Sequence, residues 1–205
     1  MNGVKKDAGG PTLTFVFSML ALFFGLYFLG YLNQNAGIII YLVQIAVWPT
    51  YFVGALRAMD NGDGLGGNTF FYFSAYFTIV PGITGVFTYF ADRLGWPYDP
   101  KVMGLVWLCL GVLLGGTLPA YKQANKVFFS IVSTATAALI VFGLGSLGFV
   151  PAGFMSPWCG VIYTYIGIAG IYLSIDGMLN YVGIELPKGK PFFKIKPVIS
   201  GKTRN

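Results

Sequence analysis

The stretch MDNGDGLGGNTF, Met59 to Phe70, gathers glycines, acids and amides in one place. Gly62, Gly64 and Gly67 have the G-x-G-x-x-G spacing with which a dinucleotide-binding turn brings backbone N–H groups up to a pyrophosphate. Asp60, Asn61 and Asp63 hint at the oxygen ladder of a calcium loop. Neither chemistry survives its context. The dinucleotide turn needs a strand before it, a helix after it and an acid about 20 residues further on, whereas the preceding residues here form a long apolar run. The calcium loop closes on a bidentate Glu at its twelfth position, and no Glu follows until Glu185. What remains is a Gly/Asx turn and then GNTF, where Asn68 and Thr69 stand at the start of the next apolar run. A polar pair there either caps a helix, satisfying free backbone N–H groups, or projects donors into a water-filled vestibule.

The rest of the reactive inventory is thin. Histidine is absent, which removes imidazole-based haem and zinc sites and His-based pH switching. Cys109 and Cys159 fall in separate apolar segments and read as small hydrophobes, not as a disulfide or a metal site. No nucleophile–base pair is evident, so no enzymatic activity, no cofactor and no metal are expected. Asp176 is the one charged residue well inside an apolar run. Intramembrane acids are costly and turn inward. This one is either a proton-coupling carboxyl, neutral while buried, or an acid near the end of its run that water simply reaches. Asn68, Thr69, Ser130, Ser133, Thr134 and Asn180 are neutral donors that can replace an anion's water shell without trapping it. The competing role for the hydroxyls is back-bonding to helix carbonyls or contact between helices.

These groups must be positioned by membrane-spanning helices. The chain of 205 residues is 56% hydrophobic and 10% charged, against about 25% charged in soluble domains. Such a chain cannot cover a water-facing surface. Six runs meet the length of about 20 residues that a spanning helix needs: 12–29, 38–56, 69–90, 102–119, 127–147 and 158–180. The first is long enough to span, which distinguishes it from the shorter apolar core of a cleaved leader. Lys5, Lys6, Arg57, Lys122, Lys126, Lys188, Lys190, Lys194, Lys196, Lys202 and Arg204 share one side, against Arg93 and Lys101 on the other. Basic residues mark the cytoplasmic side, so both termini are expected there. Small residues, Gly111 with Gly115 and the series Gly160, Gly167, Gly170, Ser174, Gly177, predict close helix packing. Pro49 and Pro81 interrupt spans two and three, and such bends must be satisfied by neighbours or by water.

Several motifs in order resemble the acetate uptake transporter family, the succinate–acetate permeases. Gly30–Tyr31 closes the first span, GIII from Gly37 opens the second, GNTF the third and VFFS (Val127 to Ser130) the fifth. IYLSIDGMLN (Ile171 to Asn180) lies in the sixth, followed by Leu186–Pro187. The family's Asn-Pro-Ala-Pro-Leu-Gly-Leu run reads AGGPTLT here, and its Ser-Tyr-Gly in span three is missing. The resemblance implies a hydrophobic constriction from an aromatic, a tyrosine and a leucine, which fall on Phe17, Thr78 and Ile131. By spacing from GNTF the tyrosine lands on Thr78, or on Ile79 with one inserted residue, and Tyr76 is an aromatic near enough to fill the gap. The family's acidic residue in span six falls on Gly177, one position after Asp176. A hexamer with one pore per protomer is also implied.

The expectation is an all-α, polytopic membrane protein: a six-helix transport domain over 1–185 and a basic cytoplasmic tail over 186–205 that lies on anionic headgroups or is solvated. It is expected to pass acetate, and possibly succinate or related small carboxylates, across the cytoplasmic membrane as a channel or a proton-linked permease. Its expected partners are the carboxylate, the lipid bilayer and further copies of itself. The rivals are a transporter for another small solute and a membrane-anchoring subunit of a complex.

Overall fold

A computed structural model describes residues 10–192. Along them run α1 Gly10–Phe28, α2 Ala36–Asp60, α3 Gly64–Tyr72, a π-helical segment Phe73–Ile79, α4 Val80–Leu94, α5 Lys101–Tyr121, α6 Lys126–Ser146, α7 Ala152–Leu179 and a 3₁₀ turn Asn180–Val182. The segments from α3 to α4 join into one span, Gly64–Leu94, and α7 continues to Val182, so six helices are long and apolar enough to cross a membrane. No strand occurs among the described residues. The fold is therefore all-α with six spans, as hydropathy implies. The even count brings residues 10 and 192 to one face, called here the tail side. Lys5, Lys6 and the tail beyond Phe192 lie outside the described residues.

Local chemistry fixes the helix ends and corrects three expectations. Gly66 N–H donates to the Asp63 carboxylate at 2.8 Å, so Asp63 is the N-cap and the third span begins at Gly64. Asn68 and Thr69 consequently sit in the second turn and cap nothing. Pro49 lies inside an unbroken α2 and does not interrupt its span. The sixth span starts at Ala152, immediately after Pro151, well before position 158. A proline six residues into a helix, here Pro157, frees a carbonyl close to the open end, where the cost is small. At the other end of α4, Gly95 takes φ 69°, the left-handed turn that stops a helix and that glycine adopts without strain. Asn125 accepts from Phe128 N–H at 2.9 Å and starts α6.

Large apolar side chains stay exposed all around the bundle, among them Val112 at 61% and Ile168 at 63%. Helices apolar on every side belong in lipid. Between helices the small residues set the distances. Gly167, Gly170 and Gly177 of α7 face Leu22, Ser18 and Pro11 of α1, Gly160 faces Leu29 just past its end, and the Ser174 hydroxyl donates to the Pro11 carbonyl at 2.7 Å. Gly111 of α5 sits equally close to Ile140 of α6. A Cβ at Gly167 would stand 2.7 Å from Leu22 Cβ, closer than real contacts allow. Gly167→Ala should therefore push α1 off α7 and cost about 1 kcal/mol, read as a lower unfolding temperature in detergent, whereas alanine at Gly116, which faces open space, should change nothing.

Candidate transport path

Two cavities lie on opposite sides of an aromatic layer. The inner one, on the tail side, holds about 80 Å³ and is lined by Leu13, Thr14 and Phe17 of α1, Tyr51 of α2, Thr69, Phe70 and Phe73 of the third span, Leu114 and Tyr121 of α5, and Phe128, Ile131, Val132 and Ala135 of α6. The outer one, about 450 Å³, opens to the other face and is walled by residues that include Phe24, Phe28, Tyr41, Trp107 and Phe142. Phe77 lines neither cavity but packs against side chains that wall each of them. Its ring lies 5.3 Å from those of Phe17 and Phe73, which line the inner cavity, and 6.4 Å from Trp107, which lines the outer one. Its exposure is 2%. The layer is apolar, and an apolar layer between two cavities is a geometry that can close a path by excluding water.

The winding of the third span puts Phe77 there. Pro81 has no N–H to give the Phe77 carbonyl four residues back. The helix widens before it, and Val80 N–H bonds to Ala75, five residues back. The orphaned Phe77 carbonyl accepts instead from Gln44 Nε2 at 2.7 Å. A π turn shifts every later side chain around the helix axis relative to an unbroken α-helix. Thr78 is fully buried and donates to the Ser74 carbonyl at 2.6 Å; it lines none of the described cavities. Tyr76 points outward, 47% exposed, and fills no gap.

The polar groups on the inner wall are hydroxyls. Thr69 back-bonds to Leu65 at 2.8 Å and shares a short hydroxyl contact with Tyr121, while Thr14 donates to Gly10 at 2.9 Å. The charged residues lining the described cavities are all acids: Asp92 and Asp99 in the outer cavity and Asp176 at a mouth on the tail side. Asp92 accepts from the Tyr98 hydroxyl at 2.7 Å, and that bond raises the Tyr98 pKa above its ordinary value. Arg93 is turned away, 2.7 Å from the Asn35 side chain and stacked over Tyr89.

Asp176 is neither neutral by isolation nor simply wetted. It is 4% exposed and takes three donors: Lys188 Nζ at 2.7 Å, Leu186 N–H at 2.8 Å and Asn180 Nδ2 at 3.3 Å. The carboxylate holds Lys188 protonated, raising its pKa. Residues 183–192 thereby fold back over the tail side, also held by Tyr172 donating to the Pro187 carbonyl at 2.7 Å and by Phe192 against Phe129 at 5.2 Å. The mouth beneath them shares Thr14 and Phe128 with the inner cavity.

No protein-family model matches the chain. No curated protein matches it. Among solved structures it is similar to that of the bacterial acetate channel SatP, with a TM-score of 0.75, 19% identity, and coverage of 90% of this chain and 100% of the other. The chain has the fold of an acetate channel.

Within that fold, the sequence-derived candidates divide. Phe17, Thr69 and Ile131 meet at the inner cavity. Asn68 donates to the Gly64 carbonyl at 2.7 Å and lines a cavity of about 270 Å³ beside Thr117 that shares Thr69, Phe73 and Leu114 with the inner one. Ser130 bonds to Val127 and to the Tyr165 hydroxyl at 2.6 Å, Thr134 back-bonds to Ser130 at 2.8 Å, and neither lines a described cavity. Asn180 serves Asp176. Tyr51, Tyr121, Phe73 and Phe77 were missed. A tyrosine in an apolar span carries little signal by itself, whereas Pro81 four residues after Phe77 marks a backbone group that must find a new partner.

Proposed function

We propose that the protein passes acetate and related small carboxylates across the cytoplasmic membrane, with both chain ends in the cytoplasm and several copies assembled side by side, a hexamer by resemblance. The observation that carries this is the pair of cavities on either side of the Phe17–Phe73–Phe77 layer in a chain with the fold of an acetate channel. A carboxylate entering this layer, the neck of the proposed path, sheds water. The Thr69 and Tyr121 hydroxyls take over part of its shell on the inner side, and the aromatic layer admits only small solutes. Asp176, tied to Lys188, sits at the cytoplasmic mouth, where a proton-coupling role would require the pair to open during transport. No cofactor enters this scheme.

A second reading, passage of an uncharged solute, is favoured by the lining: its charged residues are carboxylates, which repel an anion and leave a neutral molecule indifferent. Proteoliposomes holding the purified protein, with pH and membrane potential clamped separately, divide the two. Saturable acetate uptake driven by potential establishes an anion channel, and uptake driven by a pH gradient at zero potential establishes proton linkage. Protein-dependent flux of acetamide with no acetate current establishes the neutral-solute reading. Intact protein that moves neither overturns transport of these solutes.

A further inference from the structure

We propose that Gln44 is the positioning residue of the neck: by holding the Phe77 carbonyl it fixes how far the Phe77 ring closes the path. This rests on the transport reading above. In a membrane helix the carbonyl freed by a proline can be met by a nearby hydroxyl of the same helix. Here the adjacent hydroxyl, Thr78, is committed to the Ser74 carbonyl at 2.6 Å, and the donor comes from a different helix, Gln44 Nε2 of α2 at 2.7 Å. Gln44 is fully buried, and its Oε1 has no partner among the described residues. Burying an amide with its oxygen unsatisfied is costly, so this side chain is a poor choice for mere packing. It does one job, to bind the backbone of Phe77.

That bond also ties the neck to the outer cavity. Tyr41, one turn before Gln44, walls the outer cavity and packs directly onto Gly85 of α4, and a Cβ at Gly82 would stand 2.9 Å from the Tyr41 carbonyl. α2 and the proline-linked end of the third span are thus fitted without slack, and Gln44 sets the register between them. Without its donor, the Phe77 carbonyl must turn to find another, and the ring turns with it.

The test is the ratio of acetate to butyrate uptake in proteoliposomes of the full-length protein, for wild type, Gln44→Met, Pro81→Ala and the double variant. Methionine keeps the length and removes the donor. Alanine at 81 restores the N–H that the Phe77 carbonyl lacks. The expected result is that Gln44→Met lowers the acetate-to-butyrate ratio several-fold in the wild-type background and leaves it unchanged in the Pro81→Ala background. An unchanged ratio in the single variant, or the same shift in both backgrounds, overturns the proposal. Should Gln44→Met alone fail to fold, the double variant is expected to fold with the ratio of Pro81→Ala, and its failure to do so is equally fatal. Wild-type protein that passes neither acid overturns the transport reading and this proposal together, whereas a selective wild type with an indifferent Gln44→Met overturns this one alone.

Discussion

Phe77→Ala should open the path more than any other single change. Removing the ring leaves Phe17 and Phe73 without the partner that stands 5.3 Å from each and joins the inner cavity of about 80 Å³ to the outer one of about 450 Å³. Acetate uptake should rise about tenfold, which corresponds to about 1.4 kcal/mol off the barrier, and butyrate should pass with little discrimination. The same cavity destabilises the protein by about 3 kcal/mol, so the flux must be read on vesicles whose protein is shown monodisperse beforehand. Phe17→Ala should act in the same direction and more weakly, since Phe17 is partly exposed already and Phe77 still covers the layer. Thr78→Ala should alter neither flux nor selection, because Thr78 only back-bonds within its own helix. Loss of selection in Thr78→Ala with none in Phe77→Ala would place the constriction elsewhere.

The contrast between Phe77 and Thr78 shows where sequence reasoning stops. Hydropathy over windows of about 20 residues reports spans reliably, because a helix in lipid must satisfy its backbone internally; the six spans were legible for that reason, whereas the small residues signalled close packing without saying that α1 is the partner of α7. The positions of Phe17 and Ile131 came from the family resemblance, not from the 3.6-residue period. Phe17 and Ile131 lie on regular helices and meet at the inner cavity. Position 78 lies inside a π turn, where one extra residue per turn rotates the face, and nothing local announces it except Pro81. Gln44 carried a signal that was passed over: an amide alone in an apolar run, which a bilayer tolerates only with a partner. Lys188 could not have been found. It reaches Asp176 from twelve residues further on, through a chain reversal that neither periodicity nor composition encodes.

That ion pair yields the second large effect. Lys188→Gln leaves the Asp176 carboxylate, on a side chain 6% exposed, facing a neutral amide where the ammonium of a side chain 26% exposed now sits. Stripping one partner from a fully buried pair costs about 3–5 kcal/mol and from an exposed pair less than about 1; with the lysine partly wetted, a loss of about 2 kcal/mol is expected. Residues 183–192 should come away from α7, seen as new protease cleavage and faster amide exchange at Leu186. Asp176→Asn together with Lys188→Gln removes the stranded charge, so the double variant should be more stable than Lys188→Gln alone, a non-additivity that residues in contact show. No loss of stability in Lys188→Gln would mean that the pair holds nothing. The pH dependence has a definite sign on the lysine side. Asp176 raises the Lys188 pKa above its ordinary 10.5, so this contribution is complete below 10.5 and disappears as pH rises through the higher folded value. The segment should stay fastened through neutral and mildly alkaline solution. Transport follows from the same charge: an unpaired carboxylate beside Thr14 and Phe128 repels an anion leaving the inner cavity, so Lys188→Gln should slow acetate while leaving acetamide untouched, and the double variant should recover the acetate rate.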